Sequence, residues 1–234
     1  MGILIGKLNF LKKSTRPDIA YAVHQCARFQ IDPKESHAKA VKRIGRYLLD
    51  TRDQGYIIRP DDLMLECYAD ADFSGNWRRD IAEQDTSTAQ SRTGFVILFA
   101  GCPLIWGSRL QTEIALSTTE AEYIALSTAL RETIPLINLL QELKDMKFID
   151  EAKAPIIHCK AFEDNSGALE LAKSPKMRPR TKHINIKYHH FRSYVSSGAI
   201  TLHKVSTENQ IADIFTKPLS YPLFSKLRTT LLRW

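Results

Sequence analysis

The stretch LECYADADFSGNW, residues 65–77, runs apolar residues straight into two aspartates, Asp70 and Asp72, and then into a turn of small residues. Residues 63–70 read as a strand. A buried-looking strand that ends on carboxylates has two explanations. Asp is common where strands stop, because its side chain bonds the nearby backbone. A carboxylate at a strand end can also be an oxygen ligand for a metal ion, provided further acids arrive from elsewhere in the chain.

Working outward, the segments after this strand keep the same pattern. TGFVILFAG (93–101) and LIWGSRLQ (104–111) read as two more strands, with a turn at Gly101–Pro103, so the three form an antiparallel meander. Residues 117–143 have the length and apolar content of a long helix, interrupted by Pro135, which is expected to kink it. APIIHCKAF (154–162) and AITLHKVS (199–206) read as a fourth and a fifth strand. DNSGALELAKS, KHINIKYHHFRSYVSSG and TENQIADIFTK (207–217) read as helices, the second of them ended by Gly198. Five strands with helices between the later ones describe an α/β fold, a mixed sheet with helices packed on it.

Residues 1–60 differ in kind. RPDIAYAVHQCARFQ places Ile19, Val23, Cys26 and Ala27 at helical spacing, with Pro17 near the start. SHAKAVKRIGRYLLDT repeats the pattern with Ser36 as a cap. Its apolar stripe is Val41, Ile44, Leu48 and Leu49, and Lys39, Lys42, Arg43 and Arg46 lie on the other face. This basic amphipathic helix is expected to pack on the rest of the chain or lie near nucleic acid.

Bulk properties narrow the function. The 234 residues allow one large domain, or one domain plus an appendage. No apolar run approaches the roughly 18 residues that a membrane span requires. The N-terminal MGILIGKLNFLKKS is too short in its apolar part for a signal peptide, and Gly6 stands where N-myristoylation needs Ser or Thr. Cys26, Cys67, Cys102 and Cys159 form no CxxC pair, which argues against a zinc knuckle and for buried, reduced thiols. The formal charge of +7 favours a polyanionic partner. The run from Lys173 to Arg192 carries seven Lys or Arg, three His and no acid, mixed with aromatics, and is expected to contact phosphates rather than serve only as a solvated face.

Four acids stand in four separate elements: Asp70 at the first strand's end, Asp164 after the fourth strand, Asp213 in the last of these helices, and a glutamate at the start of the long helix. At one end of a sheet they would repel each other unless cations shared the site, so the pattern points to divalent metal ions such as Mg²⁺, with Mn²⁺ as a substitute. Two such ions about 3.5–4 Å apart support phosphodiester hydrolysis. Glu120 and Glu122 point about 200° apart on a helix. Ser117 and Glu120 fit a capping box, while Glu122 heads the stripe Ala125, Leu126, Ala129 and Leu130 that packs on the sheet, so Glu122 is the better ligand. Asp72 is assigned to turn chemistry or to support of the ligands.

The chain resembles the ribonuclease H region of copia-type retrotransposon polyproteins together with the end of the reverse transcriptase before it. The pieces that carry the resemblance are IGKLNFLKKSTRPDIAYAVHQCARF, HAKAVKRIGRYLLDT, YADADFSG, SRTGFVILFAGCPLIWGSRLQTEIALSTTEAEYIAL, EDNSGALELAK, RTKHINIKYHHFR and NQIADIFTKPL. STTEAEY combined with RTKHI…ADIFTKPL is specific; YADAD alone is weak. The resemblance implies a ribonuclease H-like fold and two-metal cleavage of the RNA strand of an RNA–DNA hybrid. It implies Asp70, Glu122, Asp164 and Asp213 as metal ligands, with Arg180, Lys182, His183, Lys187 and Arg92 against the hybrid. Residues 1–60 would then be a remnant of the reverse transcriptase thumb or connection, 61–217 the ribonuclease H-like domain, and 218–234 a helical tail. A missing reverse transcriptase region would be a partner.

Three departures stand out. Cellular ribonucleases H carry a mobile histidine in the loop before the last aspartate; here the loop reads HKVSTENQIAD and His203 falls inside the strand. The insertion 76–92 is longer than a tight hairpin. YADAD is superficially like a polymerase YxDD but opens the ribonuclease H sheet, so no DNA synthesis is expected of this chain. Two competing readings are a non-catalytic nucleic-acid-binding remnant of a fragmented element and an integrase-like nuclease, the latter without a His/Cys zinc region to support it.

Overall fold

A computed structural model of the chain describes residues 1–81, 83–149, 157–174 and 186–233. Strands β1 (Leu65–Asp72), β2 (Arg92–Phe99) and β3 (Cys102–Leu110) form the antiparallel meander. The β2–β3 hairpin turns on Ala100 and Gly101, both with positive φ, a geometry whose twist matches that of the strands it joins. Pro103 is therefore not in the turn but inside β3, where an edge strand tolerates its missing N–H. Strands β4 (Cys159–Glu163) and β5 (Ile200–Lys204) add in parallel, giving the order β3-β2-β1-β4-β5. This mixed five-stranded sheet with flanking helices is the ribonuclease H-like arrangement that the resemblance implies.

One face of the sheet is covered by helix α4 (Thr118–Asp145), which runs unbroken through Pro135. β1 turns Leu65, Cys67, Ala69 and Ala71 toward it, and α4 answers with Ala121, Ala125 and Ala129. Small residues on both sides let helix and strand approach closely, and this brings the first turn of α4 against the end of β1. The other face, with Val96 and Leu98, is covered by helix α7 (Tyr221–Leu232) through Leu227, Leu231 and Leu232, and by a short turn of 3₁₀ helix, Ile211–Phe215. Helices α1 (Gly2–Ser14), α2 (Ala20–Ala27) and α3 (Glu35–Asp50) close a third apolar cluster around Ile5, Leu8, Val23, Val41 and Ile44. A buried Arg16–Asp18 pair at 2.8 Å, bonded also to Thr51 and Tyr47, ties α3 to the start of α2. All four cysteines are buried and unpaired. Among the described residues no helix is long and apolar enough to cross a membrane.

Three expectations are corrected. Residues 207–217 are not a helix but two 3₁₀ turns, Thr207–Asn209 and Ile211–Phe215. Two constraints account for it. Gln210 Nε2 donates to Ala69 O at 2.8 Å and pins the segment to β1, and Pro218 disfavours helical backbone at Lys217. The expected helix over residues 182–198 begins outside the described residues. Its described part is a 3₁₀ turn, Ile186–His189, followed by the short helix α6 (Arg192–Ser196), before Gly198 at φ +82°. Finally, Ser36 does not cap α3, which starts at Glu35; His37 Nδ1 instead accepts from Lys34 N at 3.0 Å.

Candidate metal and nuclease site

Four elements deliver the acids. β1, the central strand, ends with Asp70 and Asp72. The N-terminus of α4 carries Glu122. The junction between β4 and helix α5 (Ser166–Lys173) carries Asp164, and the turn Ile211–Phe215 carries Asp213. Asp70, Glu122 and Asp164 each place a carboxylate oxygen within 4.8 Å of the other two. Asp213 is joined to them through a lysine: Lys217 Nζ lies 2.8 Å from Asp213 Oδ1 and 3.7 Å from Asp70 Oδ2.

Each side chain is held from behind. Glu122 Oε2 accepts from Ala71 N at 2.7 Å, which bridges helix to strand. Thr216 Oγ1 donates to Asp70 Oδ2. Thr207 Oγ1 donates to Asp164 Oδ2 at 2.9 Å. Glu120 faces away: its backbone N–H donates to Ser117 Oγ at 3.1 Å, and its Oε2 accepts from Leu116 N at 2.8 Å. It sits at N3 behind the N-cap Ser117, and Glu122 is the residue in the cluster. Asp72 stands apart. Its carboxylate lies over Gly75 so closely that a Cβ there would fall 1.8 Å from Oδ2, which makes it a turn residue.

The electrostatics are those of acids lacking enough positive charge. Burial, then Glu163, Asp70 and Asp164, push Glu122 up to about 11. Burial, then Asp70, push Asp213 up to about 7. Burial raises Asp70 against the pull of Lys217 and Thr216. For Lys217 burial is the largest influence and acts downward, but Asp70 and Asp213 outweigh it and hold the ammonium above its ordinary value. One lysine serves a group of carboxylates whose Asp213 Oδ2 has no hydrogen-bond donor among the described residues. An all-oxygen donor set with too little cation fits a hard divalent ion.

Sequence reading missed three contributors. Lys217, four residues after Asp213, is visible as an i, i+4 pair once Asp213 is placed. Thr216 has no sequence signal. Glu163 is a fifth carboxylate, 0% exposed on the α4 side of β4. Its Oε1 accepts from Asn165 N at 3.1 Å and its Oε2 has no donor among the described residues. Burial raises its carboxyl well above the ordinary range. Strand alternation from Cys159 and Ala161 would have found it.

Of the residues assigned to nucleic-acid contact, Arg180, Lys182 and His183 lie outside the described residues, as does the side chain of Lys187. Arg92 is corrected: it is 0% exposed. Its Nη1 sits 2.8 Å from His24 Nδ1 and 3.3 Å from Ser108 Oγ, with the guanidinium over the Tyr21 ring. It fills the seam between α2 and the sheet and has no surface to offer a phosphate.

No protein-family model matches the chain. Over 222 residues it is 37% identical to the retrovirus-related Pol polyprotein from transposon RE1 of Arabidopsis thaliana, covering 94% of this chain and 14% of that protein. Over 213 residues it is 37% identical to the corresponding protein from transposon TNT 1-94 of Nicotiana tabacum, covering 91% of this chain and 15% of the relative. The chain is a relative of copia-type retrotransposon Pol polyproteins. It spans about a seventh of the length of these Pol relatives. Among solved structures, the N-terminal ribonuclease H domain of a Mycobacterium tuberculosis protein aligns at 13% identity and a TM-score of 0.43, covering 72% of this chain and 99% of the other.

Glu120→Gln should cost about 1 kcal/mol or less of stability, a capping effect. Glu122→Gln should abolish Mn²⁺ binding as read by isothermal titration; comparable Mn²⁺ binding by both variants would reverse the assignment. A second prediction concerns pH in EDTA. The raised carboxyls hold more protons in the folded than in the unfolded chain, so they stabilise below the ordinary carboxylate range and lose that contribution as pH rises. The loss extends through about 7 for Asp213 and on toward about 11 for Glu122. Melting temperature in EDTA should therefore fall from pH 5.5 to 8.5, and Mg²⁺ should restore more stability at the higher pH. A melting temperature that rises over this interval contradicts the assignment.

Proposed function

We propose that this chain is a metal-dependent endonuclease that cleaves the RNA strand of RNA–DNA hybrids within a retrotransposon's reverse-transcription machinery. The observation that carries the reading is the meeting of Asp70, Glu122 and Asp164, from three elements far apart in sequence, within 4.8 Å. Similarity to copia-type Pol polyproteins supports it. In this reading Asp70, Glu122, Asp164 and Asp213 hold two Mg²⁺ ions, which would supply an activated water and stabilise the leaving oxygen. Asp70, held by Thr216, stands between the Asp164 side and the Asp213 side of the cluster. Ala71 N fixes the Glu122 carboxylate so that it cannot swing out of the site. Lys217 neutralises Asp70 and Asp213 between turnovers. His203 is held in β5 with its Nε2 2.9 Å from Thr201 Oγ1, so it is not the mobile proton carrier.

Hybrid recognition is assigned to phosphates and 2′-hydroxyls through the run that includes Arg180, Lys182, His183 and Lys187, which makes cleavage nearly independent of sequence. Residues 1–60 are assigned to a thumb or connection segment, 61–217 to the ribonuclease H-like domain and 218–234 to a tail. A reverse transcriptase region supplied by a longer polyprotein is the proposed partner.

The test is cleavage of a labelled hybrid in Mg²⁺, beside duplex DNA and duplex RNA. Cutting of the hybrid's RNA strand alone is expected; binding without cutting would leave a non-catalytic nucleic-acid-binding module instead. Hybrid affinity in EDTA should also fall steeply with salt, with a log–log slope of about −0.9 for each phosphate neutralised. Flat affinity between 50 and 200 mM salt would remove the basic run from the interface.

A further inference from the structure

Beside the carboxylate cluster lies a groove of about 530 Å³ that the cleavage reading does not use. One wall comes from α2 and α3, the other from residues 214–228. Four aromatic rings line it: Tyr21, Tyr47, Tyr221 and Phe224. The inner rings are set in place, Tyr47 and Phe224 edge to face with centroids 6.0 Å apart and the Arg228 guanidinium over both. Tyr221 stands at the mouth, 77% exposed. The lining cations are Arg43, Lys217 and Arg228. The lining acid, Asp18, is already neutralised by Arg16 at 2.8 Å and Lys217 is shared with Asp70 and Asp213, so Arg43 and Arg228 give the groove its positive charge. From Arg43 the positive charge continues along the exposed face of α3 through Lys42 and Arg46, while Lys39 is paired with Glu35 at 2.8 Å. At the opposite end Lys217 belongs to both the groove and the cluster.

We infer that this groove binds an unpaired nucleic-acid strand continuous with the hybrid, its bases stacking on the aromatic wall and its phosphates facing the cations. The chemistry selects a single strand. In a duplex the base faces are occupied by neighbouring pairs and only phosphates are within reach, so exposed rings gain nothing. An unpaired base presents a free π-face, and stacking with a flanking cation is the usual mode for single strands. The groove's overlap with the cluster at Lys217 lets one strand occupy both, a continuity that rests on the nuclease reading; single-strand binding itself does not.

The experiment measures fluorescence anisotropy of a labelled single strand of about ten nucleotides, as RNA and as DNA, in EDTA at low salt. Wild type is compared with Tyr221→Ala and Arg43→Glu, both exposed positions outside the cluster. The expected result is about a tenfold loss of single-strand affinity for Tyr221→Ala and a shallower salt dependence for Arg43→Glu, with blunt-hybrid affinity unchanged by Tyr221→Ala. In Mg²⁺, wild type should cleave a hybrid with a single-stranded extension faster than a blunt one, and Tyr221→Ala should erase that preference. If no hybrid is cut, the nuclease reading fails while the anisotropy arm still judges the groove. Single-strand affinity indifferent to both variants overturns the inference. So does an equal loss for blunt hybrid, or tighter binding of an acidic peptide that depends on the same two residues.

Discussion

Asp70→Asn is expected to lower hybrid cleavage by about a thousandfold or more while leaving the fold intact, equivalent to roughly 4 kcal/mol of transition-state stabilisation. The substitution is nearly isosteric. The remaining side-chain carbonyl can still accept the Thr216 hydroxyl, so the packing at the end of β1 has no reason to change. What disappears is the charge common to the site: Asp70 is a neighbour of Asp164 and Glu122 on one side and of Asp213 and Lys217 on the other. The same argument predicts the opposite sign for stability. Burial penalises the ionised form of Asp70, so a neutral isostere relieves repulsion in the metal-free chain. Melting in EDTA should rise by about 2–4 °C, the shift that about 1 kcal/mol produces in a chain of this size. The Mg²⁺-induced increase in melting temperature should shrink. A variant that melts lower than wild type in EDTA would show that Asp70 serves the fold, and retained cleavage would remove it from the site.

Gly94→Ala should be damaging although no reactive group is touched. Gly94 sits opposite Asp70 in the β1–β2 ladder, and the turn that bears Asp213 crosses directly over it. A Cβ at this position would lie 2.5 Å from Thr216 Cγ2, 2.7 Å from Phe215 Cβ and 2.9 Å from Ala212 O. β2 is a central strand, paired on both sides, so the turn must lift instead. Overpacking of this kind costs about 1–3 kcal/mol. The displaced turn carries Asp213, Thr216 and Lys217, so Mg²⁺ affinity and cleavage should both drop, cleavage by tenfold or more. Gly45→Ala is the control. Its Cβ meets nothing within 4 Å inside α3, and it should stabilise by about 0.5–1 kcal/mol. Equal melting temperatures for the two variants would refute the close approach at Gly94.

The mixed sheet, the long helix α4 and the clustering acids Asp70, Glu122 and Asp164 were legible in the sequence, because each depends on short-range pattern. The apolar run into Asp70 marks β1, the Ser117–Glu120 capping box leaves Glu122 as the inward acid, and strand ends announce Asp70 and Asp164. The chain's copia-type signature adds the order in which these pieces occur. Arg92 misled for a physical reason: an arginine next to a strand reads as a surface cation, and only packing reveals that α2 covers it. Glu163 is hidden on the opposite face of the sheet, under α4, and its neighbour Asp164 draws the eye.

Tertiary structure alone decided how Asp213 reaches the cluster. A helix over 207–217 satisfies the local pattern, but contacts 141 and 146 residues away in sequence, Gln210 to Ala69 and Thr216 to Asp70, replace it with a tight turn that sets Lys217 between two carboxylates. The aromatic groove likewise exists only where α2 and α3 come to face residues 214–228. Local sequence specifies backbone preference and which face is apolar. Which charges end up sharing one low-dielectric site depends on the distances between elements, and those are set by the packing of the whole chain.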